Sequence, residues 1–214
     1  GNPALRPQFT NSIELGYKRS WGKGSLYNAL YHRFADGTIT RISSTVSPSN
    51  LIYAIFQNAN KSYNTGVEMV LEQEVSNLYS FNINLNGYRN QIDAFTVENK
   101  YPTTNTFSAD QQKIYSGNIK MSNSFHFPKN IDAQITAIYL APDIIPQGKI
   151  KSRFSLDVGI KKEIQKGKGE LFFNATDLLN TMVIKKETQG QGFYYTSDDY
   201  YETQVLRLGY SYKF

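Results

Sequence analysis

From Tyr79 to Asn86 the chain alternates without a break: Tyr79, Phe81, Ile83 and Leu85 take every second position, and Ser80, Asn82, Asn84 and Asn86 fill those between. Successive side chains of a strand point to opposite faces, so this stretch makes a ribbon with one oily and one wet side. A helix would mix the two sets. The same period recurs over 115–127, where Tyr115, Ile119, Met121, Phe125 and Phe127 oppose Ser116, Asn118, Lys120, Ser122, Ser124 and His126. It recurs again where Phe154, Leu156, Val158 and Ile160 oppose Arg153, Ser155, Asp157, Gly159 and Lys161, and over 66–73. Weaker versions lie at 12–19, 25–34, 131–140 and 170–175, and a last one ends at Phe214. The helical period of 3.6 is sustained nowhere, and the reading is all-β with about nine strands.

Composition narrows what such ribbons can build. No stretch approaches the roughly 18 consecutive apolar residues of a membrane-spanning helix, and the mean hydropathy is −0.48. A helical membrane protein is excluded, which leaves a soluble β protein or a transmembrane barrel, whose strands are apolar only at alternate residues. Cysteine is absent, which removes disulfides and thiolate metal sites. The formal charge of +5 is scattered without a basic run, so nucleic acid is not an expected partner.

The connections differ in length in a regular order. Short ones (Trp21-Gly22-Lys23-Gly24, Val75-Ser76-Asn77, Pro128-Lys129-Asn130 and Gln165–Gly169) alternate with long polar ones over 35–52, 91–113, 142–151 and 187–199. A soluble sandwich has no reason to sort its turns by end. An outer-membrane barrel does, with short turns on the periplasmic rim and long loops outside. Single-chain bacterial barrels have an even number of strands, so an odd count reads as a section of something larger, with Asn2-Pro3 at the outer rim. The aromatic residues Trp21, Tyr27, Tyr79, Phe125, Phe127, Tyr210, Tyr212 and Phe214 are expected at the periplasmic ends as one girdle.

Catalytic constellations fail by count. His32 and His126 are the only histidines, on different strands, with no carboxylate at ligand spacing. His126 reads as a polar residue facing the interior of a barrel. There is no phosphate-binding loop, no nucleophile elbow and no expected cofactor. The segment with Phe193, Tyr194, Tyr195, Asp198, Asp199, Tyr200 and Tyr201 offers an aromatic platform or a cation site, or else a girdle and a solvated loop.

Several motifs resemble those of TonB-dependent outer-membrane receptors, in particular Bacteroidetes members. Leu206, Leu208, Tyr210, Tyr212 and Phe214 alternate with Arg207, Gly209, Ser211 and Lys213, similar to the C-terminal signal by which outer-membrane proteins are recognised for barrel insertion. Asn2-Pro3 with Ile13-Glu14-Leu15-Gly16-Tyr17, Tyr63 with Gly66-Val67-Glu68, and Tyr139 and Pro142 followed by Asp157–Lys162 look like late barrel strands of the family. Asn174–Asn180 resembles its Asn-Leu-Phe-Asn type motif, with Leu179 where Phe is commoner.

The resemblance implies an antiparallel up-and-down transmembrane segment over residues 1–214, about nine strands of a roughly 22-strand wall, without the plug domain or TonB box. It implies a non-enzymatic role in taking up a scarce nutrient (a siderophore, glycan or peptide). The expected partners are outer-membrane lipid, the barrel-assembly machinery, TonB through the absent plug, and a surface lipoprotein. Glu68, Glu72, Asn82, Asn84, Lys120, Asp157, Lys161 and Arg207 are then expected to face the lumen. Loops 91–113 and 187–199, with Phe193, Tyr194, Tyr195, Asp198, Asp199 and Tyr200, are expected to capture substrate. The alternative is a soluble β-sandwich that binds glycans through the aromatic segment 193–201, which requires long and short connections at both ends.

Overall fold

The computed structural model describes residues 2–46, 51–59, 61–100, 104–190 and 192–214. Strands β1 (Phe9–Trp21) and β2 (Gly24–Asp36) lead into a hairpin of β3 (Ile39–Val46) and β4 (Leu51–Asn58). Next come β5 (Ser62–Ser76) and β6 (Tyr79–Ile92), a second hairpin of β7 (Phe95–Asn99) and β8 (Asn105–Ala109), then β9 (Gln112–Phe127) and β10 (Ile131–Leu140). The rest is β11 (Asp143–Ile145), β12 (Gly148–Ile150), β13 (Arg153–Ile164), β14 (Gly169–Thr176), β15 (Ile184–Gly190), β16 (Phe193–Asp199) and β17 (Val205–Tyr212).

The long strands form one antiparallel sheet of nine, in the order β1, β2, β5, β6, β9, β10, β13, β14, β17. It is open between β1 and β17. Each short connection closes a pair of neighbours at the same end of this sheet. Trp21 pairs with Gly24 across a two-residue turn, and Ser76 with Tyr79 after a bulge. At Lys129-Asn130 and at Gln165-Lys166 the chain turns through left-handed backbone, φ 69°, 56°, 54° and 58°. All long connections stand at the opposite end, which is not what the sandwich alternative requires.

Those long connections are not irregular loops, as expected from their polar composition, but further strands. β3–β4 and β7–β8 are two-stranded ribbons, and β11, β12, β15 and β16 make a sheet of four. Residues 47–50, 101–103 and 191 of the expected loops lie outside the described residues.

Burial is inverted relative to a water-soluble β protein. Among the described residues the one cluster of buried apolar side chains, Ile42, Ala59, Phe95 and Phe107, lies in the hairpins rather than in the large sheet. Ile42 is fully buried there. In the sheet, by contrast, Leu15, Leu30, Val67, Tyr115 and Leu208 are exposed by 49 to 81%.

Candidate functional site: a two-faced wall and its outer mouth

Register decides which residues share a face. Leu15 is opposite Leu30, Leu30 opposite Val67, and one row lower Met69, Leu85, Ile119, Tyr139 and Phe154 follow strand by strand. Ile160, Phe173 and Leu208 continue the same face to the far edge. Every strand therefore contributes apolar groups to one continuous surface. At its short-turn end Tyr79, Phe81, Phe125 and Phe127 are in ring contact, with centroids 5.1 to 6.1 Å apart. Trp21, Tyr210, Tyr212 and Phe214 keep the same strand parity. Tyr27 does not join them: Leu26 and Asn28 carry the apolar-face parity of β2, and the Tyr27 hydroxyl turns the other way to donate to Glu14 at 2.8 Å.

The opposite face is polar and laced with hydrogen bonds. Ser25 donates to Glu72 at 3.1 Å, Asn82 also donates to Glu72 at 3.3 Å, and Asn84 donates to Asn82. Ser122 meets Thr136 at 3.0 Å, and Ser155 donates to Asp157 at 3.1 Å. Lys161 Nζ is 3.4 Å from Asp132, and Arg207 lies opposite Asn174. Register brings Glu68, Glu72, Asn82, Asn84, Lys120, Asp157, Lys161 and Arg207 together on this one face. Some apolar groups intrude, notably Phe172, which lies across Gly209 where a Cβ would come within 2.2 Å of its ring.

His126 is on the polar face, but a carboxylate does stand beside it, contrary to the reading of the spacing. The tight turn after Phe127 folds β10 back and places Asp132 Oδ1 2.6 Å from His126 Nδ1. Among the described residues no group of three potential ligands gathers around a metal position.

At the long-connection end the hairpins form a mouth. Asp143 accepts from the Tyr88 hydroxyl at 2.8 Å and from Asn90 at 2.9 Å, so the four-stranded sheet leans over the polar face. Between that sheet and the end of β8 lies a cavity of about 580 Å³, bordered by Phe107, Asp110, Gln147, Lys149, Glu187 and Tyr194. Lys151 at 2.9 Å and Lys149 at 3.1 Å hold the Glu187 carboxyl below the usual carboxylate range, and the Glu187 contact raises Lys151 in turn. A larger cavity of about 880 Å³ lies under the leading segment, bordered by Arg6, Phe34, Gln57, Asn58 and Glu98. It borders the apolar side of the sheet, away from the polar face.

The aromatic segment is strand β16, and its alternation divides the expected platform. Phe193 and Tyr195 stack with centroids 6.0 Å apart, whereas Tyr194 and Tyr200 are exposed on the other side. Asp198 and Asp199 also diverge, to Lys185 at 3.7 Å and Lys186 at 2.6 Å. Of the six expected capture residues, only Tyr194 borders the smaller cavity.

Sequence reading assigned no role to Asp177, which is buried just past β14 at the end of the large sheet that carries the long connections. Burial alone would raise its carboxyl, but the Thr203 hydroxyl at 2.7 Å and the backbone N–H groups of Thr181 and Met182 outweigh that and hold it below the ordinary range. Its own N–H donates to Asp157 at 2.8 Å. The Asn174–Asn180 motif is thus a pinned turn that ties β13, β14 and the segment before β17 together.

The family model described as "Outer membrane protein beta-barrel family" matches residues 1–212. No curated protein matches the chain.

Proposed function

This chain belongs to the outer membrane protein beta-barrel family, and from that premise we propose that it is wall and mouth of a TonB-dependent receptor that takes up a scarce nutrient. The family places the protein in the outer membrane as barrel wall. The further step rests on one observation: a hydrogen-bonded polar face with carboxylate, amide and ammonium groups leads to a structured mouth. Side chains from both expected capture regions, Phe107 and Asp110 on one side and Glu187 and Tyr194 on the other, border one cavity there.

In this reading the polar face lines the lumen. The cavity under the four-stranded sheet receives a polar, hydrogen-bonding solute, and a plug coupled to TonB governs its passage. The test is retention of the native protein, extracted from outer membranes in mild detergent, on immobilised periplasmic domain of TonB. Retention that survives moderate salt supports energy-coupled uptake. Passage straight through the column removes TonB coupling and leaves the wall role standing.

A further inference from the structure

The apolar face carries a feature that bulk lipid contact does not explain. Across β2, β5, β6 and β9 the row Leu30, Val67, Gly87, Gly117 loses its side chains midway, and the next row outward is His32, Thr65, Arg89, Tyr115. The bare backbone at Gly87 opens into a trough of about 1060 Å³, bordered by Leu15, Leu30, Val67 and Tyr115 and predominantly apolar in its lining. A Cβ placed on Gly87 would meet nothing within 4 Å, so the trough is open there. Tyr115 stands beside it, 81% exposed.

A smaller cavity of about 180 Å³ continues outward from the trough and is bordered by His32, Tyr63, Thr65, Arg89 and Gln91. Arg89 makes no ion pair among the described residues; its guanidinium donates to Gln91 Oε1 at 2.5 Å. His32 Nδ1 is held against Thr65 Oγ1 at 2.7 Å. Lys113 lies one row further out, opposite Gln91. The nearby carboxylate of Asp93 is occupied by the amides of Gln91 at 2.8 Å and Gln111 at 3.1 Å.

Depth gives this arrangement its meaning. Arg89 is ten residues beyond Tyr79, which stands in the inner aromatic cluster. At about 3.4 Å per residue and a tilt of about 40°, that is a height of about 26 Å, the thickness of a barrel's apolar band. The guanidinium therefore stands at the level of the outer headgroups. Arginine facing lipid is costly at the middle of a bilayer and tolerated at the interface, where it pairs with phosphate.

We propose that this trough is a specific site for one acyl lipid with an anionic phosphate headgroup from the outer leaflet. A chain lies over Gly87, between Val67 and Tyr115, and the phosphate sits on Arg89, assisted by His32 and Lys113. The proposal needs the wall placement alone and is independent of what the receptor transports.

The test counts lipids retained by the native protein in mixed micelles, by mass spectrometry under non-denaturing conditions. Phosphatidylglycerol and phosphatidylcholine with identical chains serve as probes. Wild type should retain the anionic lipid about tenfold better, as a charge-assisted hydrogen-bond pair predicts. Arg89→Gln should abolish the preference and Arg89→Lys should keep most of it. Gly87→Leu, which fills open space, should lower retention of both lipids, and heat-modifiable mobility verifies that each variant is folded. Equal retention of the two probes by wild type, or an unchanged preference in folded Arg89→Gln, overturns the proposal. TonB retention is unaffected by either result, so failure here and failure of the uptake reading are distinguishable.

Discussion

The side-chain amide of Gln147 hydrogen-bonds both backbone groups of Ser43, 104 residues away: Ser43 N–H donates to Oε1 at 2.6 Å, and Nε2 donates to the Ser43 carbonyl at 2.8 Å. The amide acts as one missing strand residue and clasps the first hairpin to the four-stranded sheet. Both residues are buried, so neither backbone group can turn to water instead.

Gln147→Leu should therefore loosen the mouth and spare the wall. Each stranded backbone group costs about 1–3 kcal/mol. Hydrogen exchange should show β3, β11 and β12 opening faster while β5, β6 and β9 keep their protection. Uniform loss of protection across the large sheet would show that the clasp supports more than the mouth.

Asp177 makes the outer turn sensitive to acid. Its folded carboxyl lies below the unfolded value of about 3.9, so its stabilisation is complete above that value and is lost as pH falls through the folded one. Exchange at the Thr181 and Met182 amides should accelerate below about pH 4 in the wild type. Asp177→Asn should weaken the turn by about 1–2 kcal/mol at neutral pH and flatten that response. An acid response that persists in Asp177→Asn would assign it to another group.

The two faces should answer differently to the same new charge. Leu208→Arg, on the apolar face and 81% exposed, should cost about 2–4 kcal/mol. Asn84→Arg, on the polar face, should be nearly neutral. Chemical denaturation of the native protein in lipid vesicles compares them, and equal costs would count against an oily outer and a wet inner side.

Glycines that look equivalent in the sequence should not behave alike. A Cβ on Gly66 would fall 2.5 Å from the Tyr31 hydroxyl and 2.7 Å from the Gly87 carbonyl, whereas on Gly87 it meets open space. Gly66→Ala should cost about 1–3 kcal/mol by overpacking, and it should displace Tyr31 from Asn86, to which it now donates at 3.0 Å. Gly87→Ala should leave stability unchanged, measured by the same denaturation.

The wall was legible in the sequence because each of its strands has to satisfy two environments at once, and alternation such as Phe81, Asn82, Ile83, Asn84 records both. The mouth was not. Strands such as Phe95–Asn99 and Asn105–Ala109 are short and polar, and their order depends on contacts far away in the chain, of the Ser43 and Gln147 kind. Alternation itself misled where residues were read as a cluster: Tyr194 and Tyr195 are neighbours in sequence and therefore point apart in a strand. Asp132 escaped notice beside His126 because a turn, not a spacing, brings them together. The trough at Gly87 left no pattern, since it consists of side chains that are absent.

Strand length carries a last consequence. β9 has 16 residues, and a tilted strand crosses a bilayer with about 9–11. With Phe125 and Phe127 anchoring the inner end and Tyr115, the register partner of Arg89, at the outer headgroups, about three residues project past them, a collar about 8 Å high. The hairpins are carried on this collar in hydrated, salty surroundings, where charge is screened beyond about 8 Å. In the proposed uptake a solute is then recognised on touch, by shape and hydrogen bonds, rather than drawn in from a distance by the field of Lys149, Lys151 and Glu187.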